Sequence, residues 1–206
     1  MKAFVVFILG IGGLSLGATG LLAEQTALPP RTIGSVSDSI STRFLQGEEA
    51  LDYLLEHRKC PKCDFSGMDL QGKDLAQTDL RWANLTGVNL NQANLQGANL
   101  SRAYLNAASL QEARLDEGRF TGAQLSGADL RGAAIRRANL AQANLSWTDL
   151  TTTDFEGTNL TGASFLGAHN IRAARFEQAD LSKATWDNGR GCGEGAFGDC
   201  WGAVRR

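Results

Sequence analysis

The 206-residue chain holds only two histidines, two tyrosines, three prolines and four cysteines, and its formal net charge is −2. So small a net charge argues neither for a basic nucleic-acid surface nor for an extreme acidic mimic. Charged residues are 20% of the chain, too few for a disordered acidic segment of this length. With only His57 and His169 present, histidine-based metal binding or base catalysis has little material. No nucleophile stands in a motif with a partnering base, and no loop matches a calcium-ligand pattern.

The N-terminus reads MKAFVVFILGIGGLSLGATGLLAEQ. One charge, Lys2, precedes an apolar stretch over residues 3–16, and small residues follow, with cleavage expected after Gly20 or Ala23. This is the pattern of an export signal, without a twin-arginine pair. Residues 1–23 alternatively remain as an uncleaved anchor, which would be the chain's only link to a membrane; the glycines at 10, 12, 13, 17 and 20 weaken that reading. Either way the remainder is expected outside the cytoplasm. Residues 24–42 carry two prolines and many hydroxyls with no apolar period, and read as a flexible linker. Residues 43–59 read as one amphipathic helix over 43–58. Phe44, Leu51, Leu54 and Leu55 share a face, with acids toward the start and His57, Arg58 and Lys59 at the end.

From Phe65 to Phe165 an apolar residue falls at every fifth position without a break. Neither a strand nor a helix has that period. One residue is inserted near Gly167–Asn170, and the register resumes at Ile171, Phe176, Leu181 and Trp186. The 25 centres are 17 Leu, 5 Phe, 2 Ile and 1 Trp. Leu85, Leu90, Leu95, Leu100, Leu105, Leu125, Leu130 and Leu145 are typical members. The position two before each centre is Ala in 15 of the 25 units, and Asp or Asn often lies between the two.

Tandem ADL, ANL and TNL units, with Gly two residues after the centre, resemble those of the pentapeptide-repeat family, over residues 63–186. The resemblance implies an all-β solenoid: a right-handed quadrilateral β-helix with four units per 20-residue coil. Both restricted positions then face inward. A little over six coils, spaced as strands are, give a rod roughly 30 Å long. Stacking is what buries each unit, and the two open ends need covers. The helix at 43–58 is the expected N-terminal cap. The tail, residues 187–206, with Phe197 and Trp201, is the expected cover at the other end of the repeat, 60–186.

Residues 20 apart then lie one coil apart on one face. Asp116, Arg136 and Glu156 form a column of alternating sign, and Asp79, Asn99, Arg119, Asn139 and Asn159 form another. Trp82 is placed beside Arg102 for a cation–π contact. A docking face is conceivable around Arg114, Arg119, Arg131, Arg136 and Arg137, with Trp82, Trp147 and Tyr104 as outward aromatics. The competing reading is a set of solvated ladders that fix coil register.

On this fold the cysteines pair locally, as Cys60 with Cys63 and Cys192 with Cys200, because the two pairs sit at opposite ends of the rod. An even count in an exported chain favours disulfides. CPKC also has the spacing of a redox motif but lacks the surrounding strand–helix pattern. His57 beside Cys60 and Cys63 supplies three ligands, a weak metal set. His169 reads as a loop residue at the insertion.

The glycines belong to corners, not to a phosphate-binding loop, and the stacked carboxylates belong to the repeat. No catalytic residue and no cofactor is implied. The expected function is a non-catalytic exported scaffold, monomeric or weakly dimeric, that binds an unidentified protein. The resemblance extends to cyanobacterial members of the periplasm or thylakoid lumen. Another branch of the family mimics DNA and binds gyrase, but those members are cytoplasmic and strongly acidic. Here residues 64–187 hold 14 acids and 11 bases, a net of −3. A third reading is a thiol redox protein working through Cys60 and Cys63.

Overall fold

The computed structural model describes residues 45–193 together with Ala196 and Cys200. The expected leader (1–23), the linker (24–42), residues 43 and 44 of the expected cap, and Phe197 and Trp201 of the tail lie outside the described residues.

The five-residue unit is explained by where its backbone N–H groups go. In the unit centred on Leu90, the Asn89 N–H donates to Met68 O one coil back (2.9 Å). The Leu90 and Gln92 N–H groups donate to Ser109 O (2.7 Å) and Gln111 O (2.8 Å) one coil on. The Ala93 N–H closes a tight turn onto Leu90 O (3.0 Å). One N–H remains, that of Asn91, and the Asn89 side chain accepts it through Oδ1 (3.1 Å). The recurrent Asp or Asn before each centre is therefore a structural acceptor. The same bond runs from Ser66 to Asp64, Thr86 to Asn84 and Arg131 to Asp129.

Two residues after each centre from Phe65 to Phe165, and again after Phe176 and Leu181, the backbone turns left-handed, as at Gly87 (φ 65°) and Trp82 (φ 62°). A type II turn requires this, which is why glycine is frequent there but not obligatory.

Parallel bridges join residues 20 apart in four ladders, one per face. Face 1 runs through Asp79, Asn99, Arg119, Asn139 and Asn159, and face 2 through Asp64, Asn84, Tyr104, Gln124, Asn144 and Ser164. Face 3 runs through Asp69, Asn89, Ser109, Asp129, Asp149 and His169. Face 4 runs through Asp74, Asn94, Arg114, Ala134, Asp154 and Arg175.

The interior is filled by the centres and the alanines. Leu85, Leu90, Leu95, Leu100, Leu105, Leu125, Leu130 and Leu145 are all buried in one core. Threonines at the inward alanine position satisfy their hydroxyls on backbone carbonyls, Thr78 on Leu75 O and Thr153 on Leu130 O. Lys73 departs from the pattern: it occupies an inward-type position yet is exposed, because its stem lets the ammonium reach water. At the C-terminal end Phe155, Phe165, Phe176 and Trp186 replace leucine with an interlocked aromatic cluster.

Helix α1 spans Gly47–His57 and buries Ala50, Leu51 and Leu54 in the same core. Leu55, expected on that face, is instead exposed. It lies a full 100° around the helix from Leu54, and Ala50 takes the inward position. Arg58, in a left-handed conformation, ends the helix with its N–H on Leu54 O; Gln46, just before the helix, already bridges Asp64, and the chain re-enters the ladders at Lys59.

The inserted residue is Asn170 and not His169. His169 holds the ladder position opposite Asp149, with its N–H on Thr148 O (2.8 Å). Asn170 takes a left-handed conformation and a 3₁₀ turn follows over Ile171–Ala173. Bridges beyond it join residues 21 apart, as Asp154 with Arg175. Past Trp186 the chain turns back, with the Cys192 N–H on Ala184 O and the Leu181 N–H on Ala196 O. No helix among the described residues is long and apolar enough to cross a membrane.

Candidate interaction surface

Because the interior is packed with side chains, chemistry directed at other molecules is confined to the four faces and their corners. The sequence grouped five arginines, and the structure distributes them. Arg131 belongs to face 3, Arg114 and Arg136 to face 4, Arg137 to the corner after face 4, and Arg119 to face 1.

Several of them are engaged. Arg131 holds Asp129 through two nitrogens (2.9 and 2.7 Å). Its hydrogen bond keeps the Asp129 carboxyl below the ordinary carboxylate value despite partial burial. Arg136 bonds Asp154 at 2.7 Å, and Asp154 also lies 3.4 Å from Arg175. Burial pushes the Asp154 carboxyl up. The Arg136 hydrogen bond, the Glu156 N–H and the Arg175 charge together outweigh that and hold it below its usual value. The expected Asp116–Arg136–Glu156 column is thus rearranged. Asp116 accepts the Arg136 backbone N–H (3.0 Å), while Glu156 faces Arg175 (3.8 Å). Arg114 reaches Gln96 at 3.3 Å.

Face 2 is different. The coils expose four large apolar side chains among the described residues, Trp82, Tyr104, Trp147 and Leu166. All four border this face: Tyr104 lies on its ladder, Trp82 at one corner, and Trp147 and Leu166 at the other. The outward positions between Asn84 and Leu166 are Asn, Thr, Tyr, Gln, Ser and Leu, with no charge among them. Arg102 lies 4.8 Å from the Trp82 ring centroid, as the sequence spacing suggested. Together with Tyr104, Asn106, Gly122 and Gln124 this pair lines an open groove of about 450 Å³. Sequence reasoning had Trp82, Arg102 and Tyr104 but missed Asn106 and Gln124. The step of two between Tyr104 and Asn106, and of 20 between Tyr104 and Gln124, was the signal that joined them.

Cys60 and Cys63 are paired with Cα atoms 5.5 Å apart, and Cys192 and Cys200 with Cα atoms 5.2 Å apart. Cys60 and Cys63 are both buried. His57 stacks on Tyr53 (4.2 Å) and its Nδ1 meets Tyr53 O (3.0 Å). No group of three acidic, cysteine or histidine side chains among the described residues is placed to hold a metal ion.

A stack of five-residue units joined by four parallel ladders defines a quadrilateral solenoid. The profile described as Pentapeptide repeats matches in eight copies over residues 59–97, 83–122, 98–140 and 138–169, more than half of the chain. The chain belongs to the pentapeptide-repeat family. Solved structures similar to it include a pentapeptide repeat protein of the Arabidopsis thaliana thylakoid lumen, at 36% identity and TM-score 0.40 over 49% of this chain and 67% of that one. Another is Rfr23 of the cyanobacterium Cyanothece 51142, at 28% identity and TM-score 0.33 over 67% of this chain and 97% of that one. A third is QnrB1, a plasmid-mediated fluoroquinolone resistance protein, at 23% identity and TM-score 0.36 over 62% of this chain and 70% of that one. Among curated proteins none matches.

Proposed function

We propose that this chain is a non-catalytic, exported scaffold that binds a partner protein through face 2. In this reading α1 covers the first coil and the two disulfides brace the ends. The observation that carries the proposal is the gathering of Trp82, Tyr104, Trp147 and Leu166 along a face whose outward positions carry no charge from Asn84 to Leu166, while the Arg131–Asp129 and Arg136–Asp154 pairs lie on other faces. Exposed aromatics with an arginine, free of competing charge, are what interface anchors are made of. The basic, apolar and small-residue order of residues 2–23 supports export. Burial of Cys60 and Cys63 favours a structural bridge over a thiol that exchanges.

The test is photo-crosslinking in the host, with the reactive residue at Gln124 on face 2 or at Ala134 on the opposite face 4. Adducts to a defined protein from position 124, and none from 134, are expected. Adducts only from 134 would move the interface, and none from either would overturn the scaffold reading. Protection of gyrase by the chain lacking residues 1–23 would replace it with the gyrase-binding one.

A further inference from the structure

Tyr104 stands where most units carry the Asp or Asn that accepts the N–H two residues on. In the preceding coil Asn84 accepts the Thr86 N–H (3.2 Å), and in the following unit of that coil Asn89 accepts the Asn91 N–H. With tyrosine at 104, the Asn106 N–H has no acceptor among the described residues, and neither has the Asn106 side-chain amide. Ser126, one coil on, has the same free N–H. Gln124, at its acceptor position, spends its amide on Gly122 O (3.2 Å) and its oxygen on Asn144 (3.4 Å).

The Arg102 guanidinium, on the same groove, has the Trp82 ring as its one partner among the described residues. Arg58, Arg81, Arg131, Arg136 and Arg175 each face a carboxylate within 4 Å, whereas Arg102, like Arg114, Arg119 and Arg137, faces none among the described residues; of these four only Arg102 lines the groove. The groove therefore offers a guanidinium, a backbone N–H, an amide and a phenol, with no acid to receive them. Its donors ask for an anion with the planar, two-oxygen shape that Arg recognises. Its Trp and Tyr walls ask for a ligand with apolar surface beside that anion.

We propose that the Trp82–Arg102–Tyr104–Asn106 groove binds an Asp or Glu side chain of a partner polypeptide. That carboxylate occupies the acceptor position that the unit's own Asx fills elsewhere. The proposal rests on the scaffold reading and deepens it. The choice of a polypeptide over an acidic sugar follows from the surroundings. Face 2 continues past the groove as an uncharged surface to Trp147 and Leu166, so one anchored carboxylate is flanked by protein-like contact area.

The experiment pans a random peptide library on the chain lacking residues 1–23 and titrates synthetic copies of the enriched peptides. Three changes are compared: acid to amide in the peptide, Arg102→Gln, and Tyr104→Asp. The last restores the missing acceptor and places a negative charge in the groove, so it keeps the coil intact while blocking the site. We expect enriched peptides to contain an acid. Each of the three changes should weaken binding about tenfold or more, the scale of a charge-assisted hydrogen bond. The melting temperature of Tyr104→Asp should be no lower than that of the parent. Enrichment of peptides without acids, equal binding to Tyr104→Asp, no enrichment at all, or binding of uronic-acid oligosaccharides in place of peptides would each overturn the proposal. Crosslinks from position 124 would still stand in those cases, so the scaffold reading fails or survives separately.

Discussion

The indole of Trp147 lies across Gly167, one coil further on. A Cβ on Gly167 would fall 2.6 Å from two ring carbons. The same arrangement recurs where Gln77 crosses Gly97. At these two corners the large side chain is accommodated by glycine at the corner above it, whereas above Trp82 the corner residue is Arg102, which stacks on the ring. Gly127, two coils below Gly167 on the same corner, has open space around its Cβ position. Both glycines have positive φ, 69° and 71°. Gly127→Ala should therefore cost about 1 kcal/mol for the backbone conformation alone. Gly167→Ala should cost about 1 kcal/mol more, for displacing the indole. Denaturant unfolding of both variants, with and without Trp147→Ala, measures the difference. Equal losses in the Trp147 background would mean the ring makes no contact that matters.

Ala108 is buried between leucine ladders at the second inward position. Ala108→Phe adds a ring where the interior is already filled, and overpacking of this kind costs about 1–3 kcal/mol or more. We expect a lower thermal midpoint and a broader transition. A melt identical to that of the parent would mean that the inward position has spare volume.

The repeat phase was legible in the sequence because burial every five residues leaves one apolar residue per unit, and the insertion showed as a break in that count. Its exact site was not. His169 and Asn170 are both polar, and only the left-handed conformation at Asn170 distinguishes the extra residue from the ladder residue. The columns were legible too, since 20 residues make one coil. Which neighbour a long side chain chooses was not. Arg136 turns to Asp154, 18 residues on, because an arginine reaches diagonally as easily as along its column. The groove at Tyr104 was half legible. The aromatics stood out, but their meaning depends on a backbone N–H whose missing acceptor appears only once the bonds of each unit are traced.

Asp154 is buried, with Arg136 and Arg175 on it, and its pKa lies below the ordinary 3.8. The folded chain then binds fewer protons than the unfolded chain in that range. Its stabilisation is present in full above pH 3.8 and is lost as pH falls through the folded value. Asp79 and Asp129, held by Arg81 and Arg131, are lowered in the same direction. The thermal midpoint should be flat from about pH 7 to 5 and fall below about pH 4. Asp154→Asn should cost about 1 kcal/mol at pH 7, because the half-exposed Arg136 is partly screened by solvent. The variant should also lose less on acidification. An acid limb as steep in Asp154→Asn as in the parent would remove this carboxylate from the account.

Helix α1 sits on the first coil, and the backbone at its start is paired there: the Gly47 N–H donates to Asp64 O (3.0 Å) and the Asp64 N–H to Leu45 O (2.9 Å). Ala50, Leu51 and Leu54 bury their side chains in the solenoid core. Removing residues 43–58 would bare that apolar end and release the ladder groups that Leu45 and Gly47 engage. An uncovered coil is a template for a second copy, as any unpaired sheet edge is. We therefore expect the truncated chain to self-associate, with sedimentation showing species of twice the mass or larger that grow with concentration. Substituting Leu51 and Leu54 by Ala should weaken the cover without exposing the ladder, giving a lower melting temperature and a smaller tendency to associate. A truncated chain that stays a single monomeric species across the concentration range would show that α1 packs on the coil without serving as its cap.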